Sequence, residues 1–182
     1  LVTNAETGSL IPVGETHFAD RIRHSEMLRN KRARNAGLEF KRIAEKDISE
    51  VYRFIFECHK QKGYKISINE MDLKNAVQSF PGRYLLFGIF DGHNLAGASV
   101  SILVRKNILY NFLVNHRSHY NHISPPVMLM EGLYRYCQQN SISILDLGTS
   151  ALDGKPNFPL LDFKLHVGGI PTTKLTFYKK LC

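Results

Sequence analysis

A chain of 182 residues, 43% hydrophobic and 10% aromatic, fits one domain with a substantial core, alone or with one added element. Glycine and proline are ordinary in number, which excludes a collagen-like repeat and long low-complexity disorder. The net charge is +8, and no apolar run is long enough to span a bilayer.

The charge is uneven. Arg21 to Lys46 holds nine Lys or Arg against Glu26, Glu39 and Glu45. Two readings stand: a solvated helix surface, or a patch for a nucleotide phosphate, RNA or an anionic lipid precursor. Cys58, Cys137 and Cys182 share no metal or redox spacing. Such a sparse, odd set fits reduced thiols, so a cytoplasmic location is expected. The start, LVTNAETGSL, lacks the basic region and apolar core of a signal peptide. The first residue is not Met, so a fragment of a longer protein stays open.

Residues 1–16 read as an extended or loosely held arm. His17 to Ala36 has helical spacing, with Phe18, Ile22, Met27 and Leu28 as its apolar stripe and Arg29 to Arg34 as a basic end. Gly37 terminates it. Leu38 to Ile43 alternates at strand period. Asp47 opens a helix with Glu50 three residues on, the spacing of a capping box. Its buried side is Val51, Tyr52, Phe54, Ile55 and Cys58, and Gly63 ends it. A second short helix is expected from about Asn69 to Phe80, followed by a turn at Pro81-Gly82. Arg83 to Phe90, Leu95 to Arg105 and Ile108 to Asn115 then form an antiparallel meander, turning at Asp91-Gly92 and Lys106-Asn107. Ser124-Pro125-Pro126 starts a helix reaching about Asn140, with Ser as N-cap. Ser141 to Leu147 is a short strand ending at Gly148-Thr149-Ser150, with Asp146 near its end. A loop with Gly154 and Pro156 leads to a helix from Pro159 to Val167, stopped by Gly168-Gly169. Ile170 to Tyr178 is a closing strand. These elements predict an α/β (α+β) fold: a mixed, mostly antiparallel sheet flanked by helices, with an extra basic helix at the N-terminus. The division is 1–37 for arm and basic helix, and 38–182 for a single domain.

This order is similar to that of the GNAT acyltransferases, and residues 38–179 would cover such a domain. Three stretches narrow the resemblance: SEMLRNKRARNAGLEF, LDLGTS and NFPLLDFKLHVGG. They resemble the FemAB-type peptidyltransferases and FemAB-like acetyltransferase domains. Those have a basic helix before a glycine, an Asp-x-Gly ending the fifth strand, and a Phe-Lys pair before a glycine. Gly37, Asp146 with Gly148, Phe163-Lys164 and Gly168 match here. One departure is clear. Acetyl-CoA-binding members carry an Arg/Gln-x-x-Gly-x-Gly/Ala loop whose N–H groups hold the pyrophosphate. The corresponding stretch, Tyr120 to Pro126, has no glycine and ends in two prolines.

The resemblance implies acyl transfer to a small-molecule or peptide amine without a covalent enzyme intermediate. The donor is acetyl-CoA or another acyl-CoA, or alternatively an aminoacyl-tRNA serving a cell-wall or peptide precursor. A catalytically silent binding domain is the third reading. Lys164 is the first candidate for stabilising the developing oxyanion or holding a phosphate. Asp146 is a candidate proton acceptor, and otherwise caps the turn after its strand. Tyr178 is a candidate general acid, and otherwise packs in the closing strand. Phe112, Leu113, Val114 and Asn115 are expected along the donor, with His122, Ser124 and Gly148. A tRNA or nucleotide phosphate is expected at Arg29, Lys31, Arg32 and Arg34.

His116, His119 and His122 form an H-x-x-H-x-x-H series. It lacks the Glu of H-E-x-x-H and sits on a predicted loop, so no metal is expected. With Arg117 these histidines line the cleft of the donor's phosphates or are simply exposed. Cys137 reads as a core thiol.

Overall fold

The structure is a computed structural model and describes residues 2–152 and 155–179. Gly154 and Cys182 lie outside the described residues. Nine strands and five α-helices are described in chain order. They are β1 Val2–Pro12, α1 His24–Asn35, β2 Leu38–Ile43, α2 Ile48–Gln61, α3 Glu70–Ser79, β3 Tyr84–Asp91 and β4 Asn94–Arg105. Then come β5 Ile108–His116, α4 Pro125–Gln139, β6 Ile144–Thr149, β7 Ala151–Leu152, β8 Lys155–Pro156, α5 Phe158–His166 and β9 Ile170–Phe177.

Seven strands form one sheet in the order β2-β3-β4-β5-β6-β1-β9. β2 to β5 are antiparallel neighbours: β3, β4 and β5 are a meander joined by two-residue turns, and β2 pairs with β3 across the intervening α2 and α3. Its return to β6 is parallel, through the α4 crossover. Two cores sandwich the sheet. On one face α4 buries Val127, Met130, Leu133, Tyr134 and Cys137 against Leu109, Leu145 and Leu147, and Val167 closes this core from beyond α5. On the other, α2 buries Val51, Phe54, Ile55 and Cys58 with Leu73 of α3 and Leu113 of β5.

Five expectations need correction. Residues 2–12 are extended, as one of the two readings expects, but not a loose arm: β1 lies inside the sheet, antiparallel to both β6 and β9. Its partners are more than 130 residues away, so no local pattern marks it. The helix expected from His17 is a 3-10 turn, Phe18–Asp20, followed by α1 from His24. The proposed stripe fails in α1, where Met27 and Leu28 are exposed and Glu26, Asn30 and Ala33 are buried. Asp47 and Ser124 stand at N-cap positions, but neither side chain makes a capping hydrogen bond. Ser124 is left-handed, with φ 49°. Finally, β6 starts at Ile144 and runs through Gly148 and Thr149 instead of stopping there.

The polar face of α1 is explained by Glu131, buried on α4. Its carboxylate accepts from Asn30 Nδ2 at 2.6 Å and pairs with Arg135 at 2.8 Å and with Arg34. Both arginines are half in water, so they lose little if released. Asn30 is buried and would lose its acceptor. Glu131→Leu is therefore expected to cost roughly 1–3 kcal/mol, and Glu131→Gln less, in urea unfolding. An unchanged midpoint in both variants would refute this account of how α1 is held.

Candidate active site

The sheet forks at its centre. β5 and β6 pair only at Ile108–Ile144, Leu109–Leu145 and Tyr110–Asp146. Beyond Tyr110 a bulge begins: Val100 of β4 faces Leu113 while Ser101 faces Asn111, leaving Phe112 as the extra residue. Bulges bend the strand that carries them. β5 then follows β4 up to His116, while β6 follows β1 up to Thr149. The opening between them is where β5 has no ladder partner on its β6 side.

β6 also carries a bulge, with Leu147 and Gly148 opposite Ser9 between the pairs Leu10–Asp146 and Gly8–Thr149. Gly148 has φ +72°, and a Cβ there would lie 3.1 Å from the Tyr110 ring. Glycine serves both requirements. Three side chains converge on it. The Asp146 carboxylate accepts the Gly148 N–H at 2.8 Å. Lys164, reaching back from α5, donates to the carbonyl oxygens of Gly148 at 3.2 Å and Thr149 at 2.6 Å. Tyr110 covers the remaining side. Lys174 of β9 pairs with the other Asp146 oxygen.

Burial sets the electrostatics here. Lys164 is only 7% exposed, and desolvation lowers its pKa to about 8, against a smaller upward pull from Asp146. The Tyr110 hydroxyl is pushed up by burial and then by the Asp146 charge. Lys164 is therefore a cation able to lose its proton near neutral pH.

The other candidates are placed as follows. Asn115 is buried, and its amide is occupied: Oδ1 accepts from Lys62 Nζ at 2.6 Å and from the His116 N–H at 2.8 Å. Phe112 and Leu113 pack toward the α2 core, and Val114 is 37% exposed. His122 lies in the loop before α4, its Nδ1 3.0 Å from the His119 carbonyl. Tyr178 stands one residue past β9 and is 61% exposed. All four basic residues are exposed; Arg29 pairs with Glu26 at 3.3 Å and Arg34 with Glu131, while Lys31 and Arg32 join no ion pair among the described residues. Cys58 and Cys137 are buried free thiols, and burial pushes Cys137 up to about 12. Among the described residues no group of three or more metal-ligating side chains forms. Among them, too, no helix is long and apolar enough to cross a membrane.

The loop before α4 departs from an anion cradle. The N–H groups of Ile123 and Ser124 both turn onto the Tyr120 carbonyl at 3.0 Å. Pro125 and Pro126 have none to offer, and the Val127 N–H takes the Ser124 carbonyl at 3.1 Å.

Sequence reasoning missed Tyr110, Lys174 and Lys62. Tyr110 and Lys174 each follow strand alternation, so nothing marks them until β5, β6, β1 and β9 are laid side by side.

A forked mixed sheet with a helical crossover, and charged groups at the strand ends, defines an acyltransferase-type fold. The chain belongs to the acetyltransferase (GNAT) domain family, whose model matches residues 22–163. Among solved structures it is similar to FemX, with TM-score 0.77 and 8% identity, covering 91% of this chain and 59% of that one. It is also similar to an aminoglycoside acetyltransferase from an uncultured soil metagenomic sample: TM-score 0.58, 14% identity, 80% of this chain and 97% of that one. A third is the C-terminal domain of a putative lysylphosphatidylglycerol synthetase from Agrobacterium fabrum: TM-score 0.56, 8% identity, 90% and 52%. The chain thus spans a little over half the length of the FemX and synthetase chains. No curated protein sequence matches it.

Proposed function

We propose that this domain transfers an activated acyl group to an amine, with the reacting carbonyl lodged in the fork between β5 and β6. The observation that carries this is the parting of two parallel strands after Tyr110 and Asp146, with a buried lysine on the β6 tip. The amine nitrogen attacks the carbonyl carbon, the C–N bond forms, and the bond to the leaving group breaks. Positive charge at Lys164 favours the oxyanion that appears in between. Asp146 receives the amine proton, and the fork-facing Tyr110 hydroxyl supplies one to the leaving group.

The donor that fits best is an aminoacyl-tRNA. A diphosphate donor needs a fan of N–H groups at the start of α4, and the prolines and inward-turned amides there do not supply one. An ester-linked aminoacyl group asks only for the fork, with the nucleic acid held by exposed cations such as Lys31 and Arg32. Acyl-CoA is the second reading. It is favoured by the unpaired edge of β5 past Tyr110, which matches an amide-bearing arm.

Calorimetry separates the two. Acetyl-CoA and free CoA at millimolar concentration are expected to give no heat. Aminoacyl-tRNA is expected to bind, with affinity falling steeply as salt rises. Reversing the charges of Lys31 and Arg32 should weaken that binding without shifting the melting temperature. Tight acetyl-CoA binding would overturn the tRNA reading in favour of the second.

A further inference from the structure

The fork has a second tip, and it also carries a lysine. At the end of β5, Lys62 from the C-terminal end of α2 donates to Asn115 Oδ1 at 2.6 Å and to the His116 carbonyl at 3.2 Å. An ammonium has three N–H donors, so one remains. Arg117, the next residue after β5, lays its guanidinium 5.2 Å from the centre of the Phe54 ring on α2. Lys62 and Arg117 are both half-buried. Neither takes part in any ion pair among the described residues. Desolvation lowers Lys62 from its ordinary value, and burial also lowers both His59 and His116, which flank it. Half-burying a cation without a counter-charge is costly, and an anion near either one reduces that cost.

The site has a definite side. Phe54, Leu113 and the stem of α2 belong to the core opposite α4. Asn115, reached by both Lys62 and His59, is held on that same face. Lys62 and Arg117 therefore face away from the start of α4, across the sheet.

We propose that Lys62 and Arg117 form an anion subsite for the acyl acceptor, taking a carboxylate or phosphate carried by the amine substrate. This rests on the acyltransferase reading, and it places the acceptor among anionic amines rather than polycations. Asn115, with Oδ1 turned to Lys62 and Nδ2 2.9 Å from His59 Nδ1, positions the lysine.

The test is binding without turnover, so it stands apart from the donor question. Inorganic phosphate, pyrophosphate and acetate are titrated while backbone and histidine signals are followed by NMR. Shifts are expected at His59, Lys62 and Asn115 to Arg117. Acetate or pyrophosphate as the tighter probe identifies the carboxylate or phosphate source. Arg117→Met, which loses only a ring contact, is expected to weaken the tighter anion by about tenfold or more. Lys62→Met should do the same, and the exposed Lys60→Met should not. Donor affinity, measured with aminoacyl-tRNA and with CoA, is expected to be unchanged in Arg117→Met. Absence of these shifts, or binding that survives both Lys62→Met and Arg117→Met, overturns the subsite. A fall in donor affinity overturns its assignment to the acceptor.

Discussion

Replacing Lys164 with alanine is expected to lower turnover by about 10²–10³ with donor affinity little changed, the usual loss for one electrostatic contact to a developing oxyanion. Lys164 is only 7% exposed, with its ammonium fixed by the Gly148 and Thr149 carbonyls. A charge held rigidly costs no reorganisation when the transition state forms. Loss of affinity with turnover preserved would instead make Lys164 a ground-state phosphate ligand. Unchanged kinetics in a folded variant would leave it a structural clamp on β6.

Titration gives Lys164 a separate signature. Its pKa falls from 10.5 in the unfolded chain to about 8 in the fold. Between these values the unfolded state binds more protons, so stability rises with pH across that window and is flat below it. The full span is on the order of 3 kcal/mol. Cys137 works the other way: its raised pKa removes stability above the ordinary thiol value. The comparison is therefore wild type against Lys164→Met, whose melting curves at pH 7.5 and pH 10 share every other group. The wild type should gain on the variant as pH rises. A constant gap would mean that Lys164 is not desolvated. Turnover, if it needs the ammonium, should decline above about pH 8.

The sheet was legible where its contacts are local. β2 announces itself by alternation, β3 to β5 by apolar runs between two-residue turns, and α2 and α4 by their apolar faces. β1 was not, because half of it is solvent-exposed and its partners are β6 and β9. α1 misled because its buried face is Glu26 and Asn30, chosen to meet Glu131 and Arg29 rather than to avoid water. Among the candidate residues, Asp146, Gly148 and Lys164, singled out from sequence, do converge in space. The spacing alone would have left them apart. What brings them together is a bulge opposite Ser9 and a helix that turns back, neither of which has a period to read. Tyr178 looked equivalent to Tyr110 as a letter in a strand, yet one is half-buried against Gly148 and the other is 61% exposed.

Gly148→Ala is expected to be the most damaging change of a single methyl group in this site. Two costs act at once. A side chain at φ +72° pays roughly 1–2 kcal/mol for the left-handed backbone. The added Cβ also meets the Tyr110 ring at 3.1 Å, and crowding of that kind costs about 1–3 kcal/mol when the neighbour cannot yield. Tyr110 has little room to yield, since its ring already contacts Phe112 and its strand is fixed on both sides. Any shift of the bulge also moves the two carbonyls that hold Lys164, so turnover should fall together with stability. A double-mutant cycle with Tyr110→Ala separates the terms. In the Tyr110→Ala background, Gly148→Ala should keep its backbone cost and lose its crowding cost, so its penalty in urea unfolding should shrink by about half. A penalty that does not shrink would place the whole cost in the backbone. A penalty near zero in both backgrounds would mean that the bulge accepts alanine, and that the convergence of Asp146, Tyr110 and Lys164 on Gly148 does not depend on glycine.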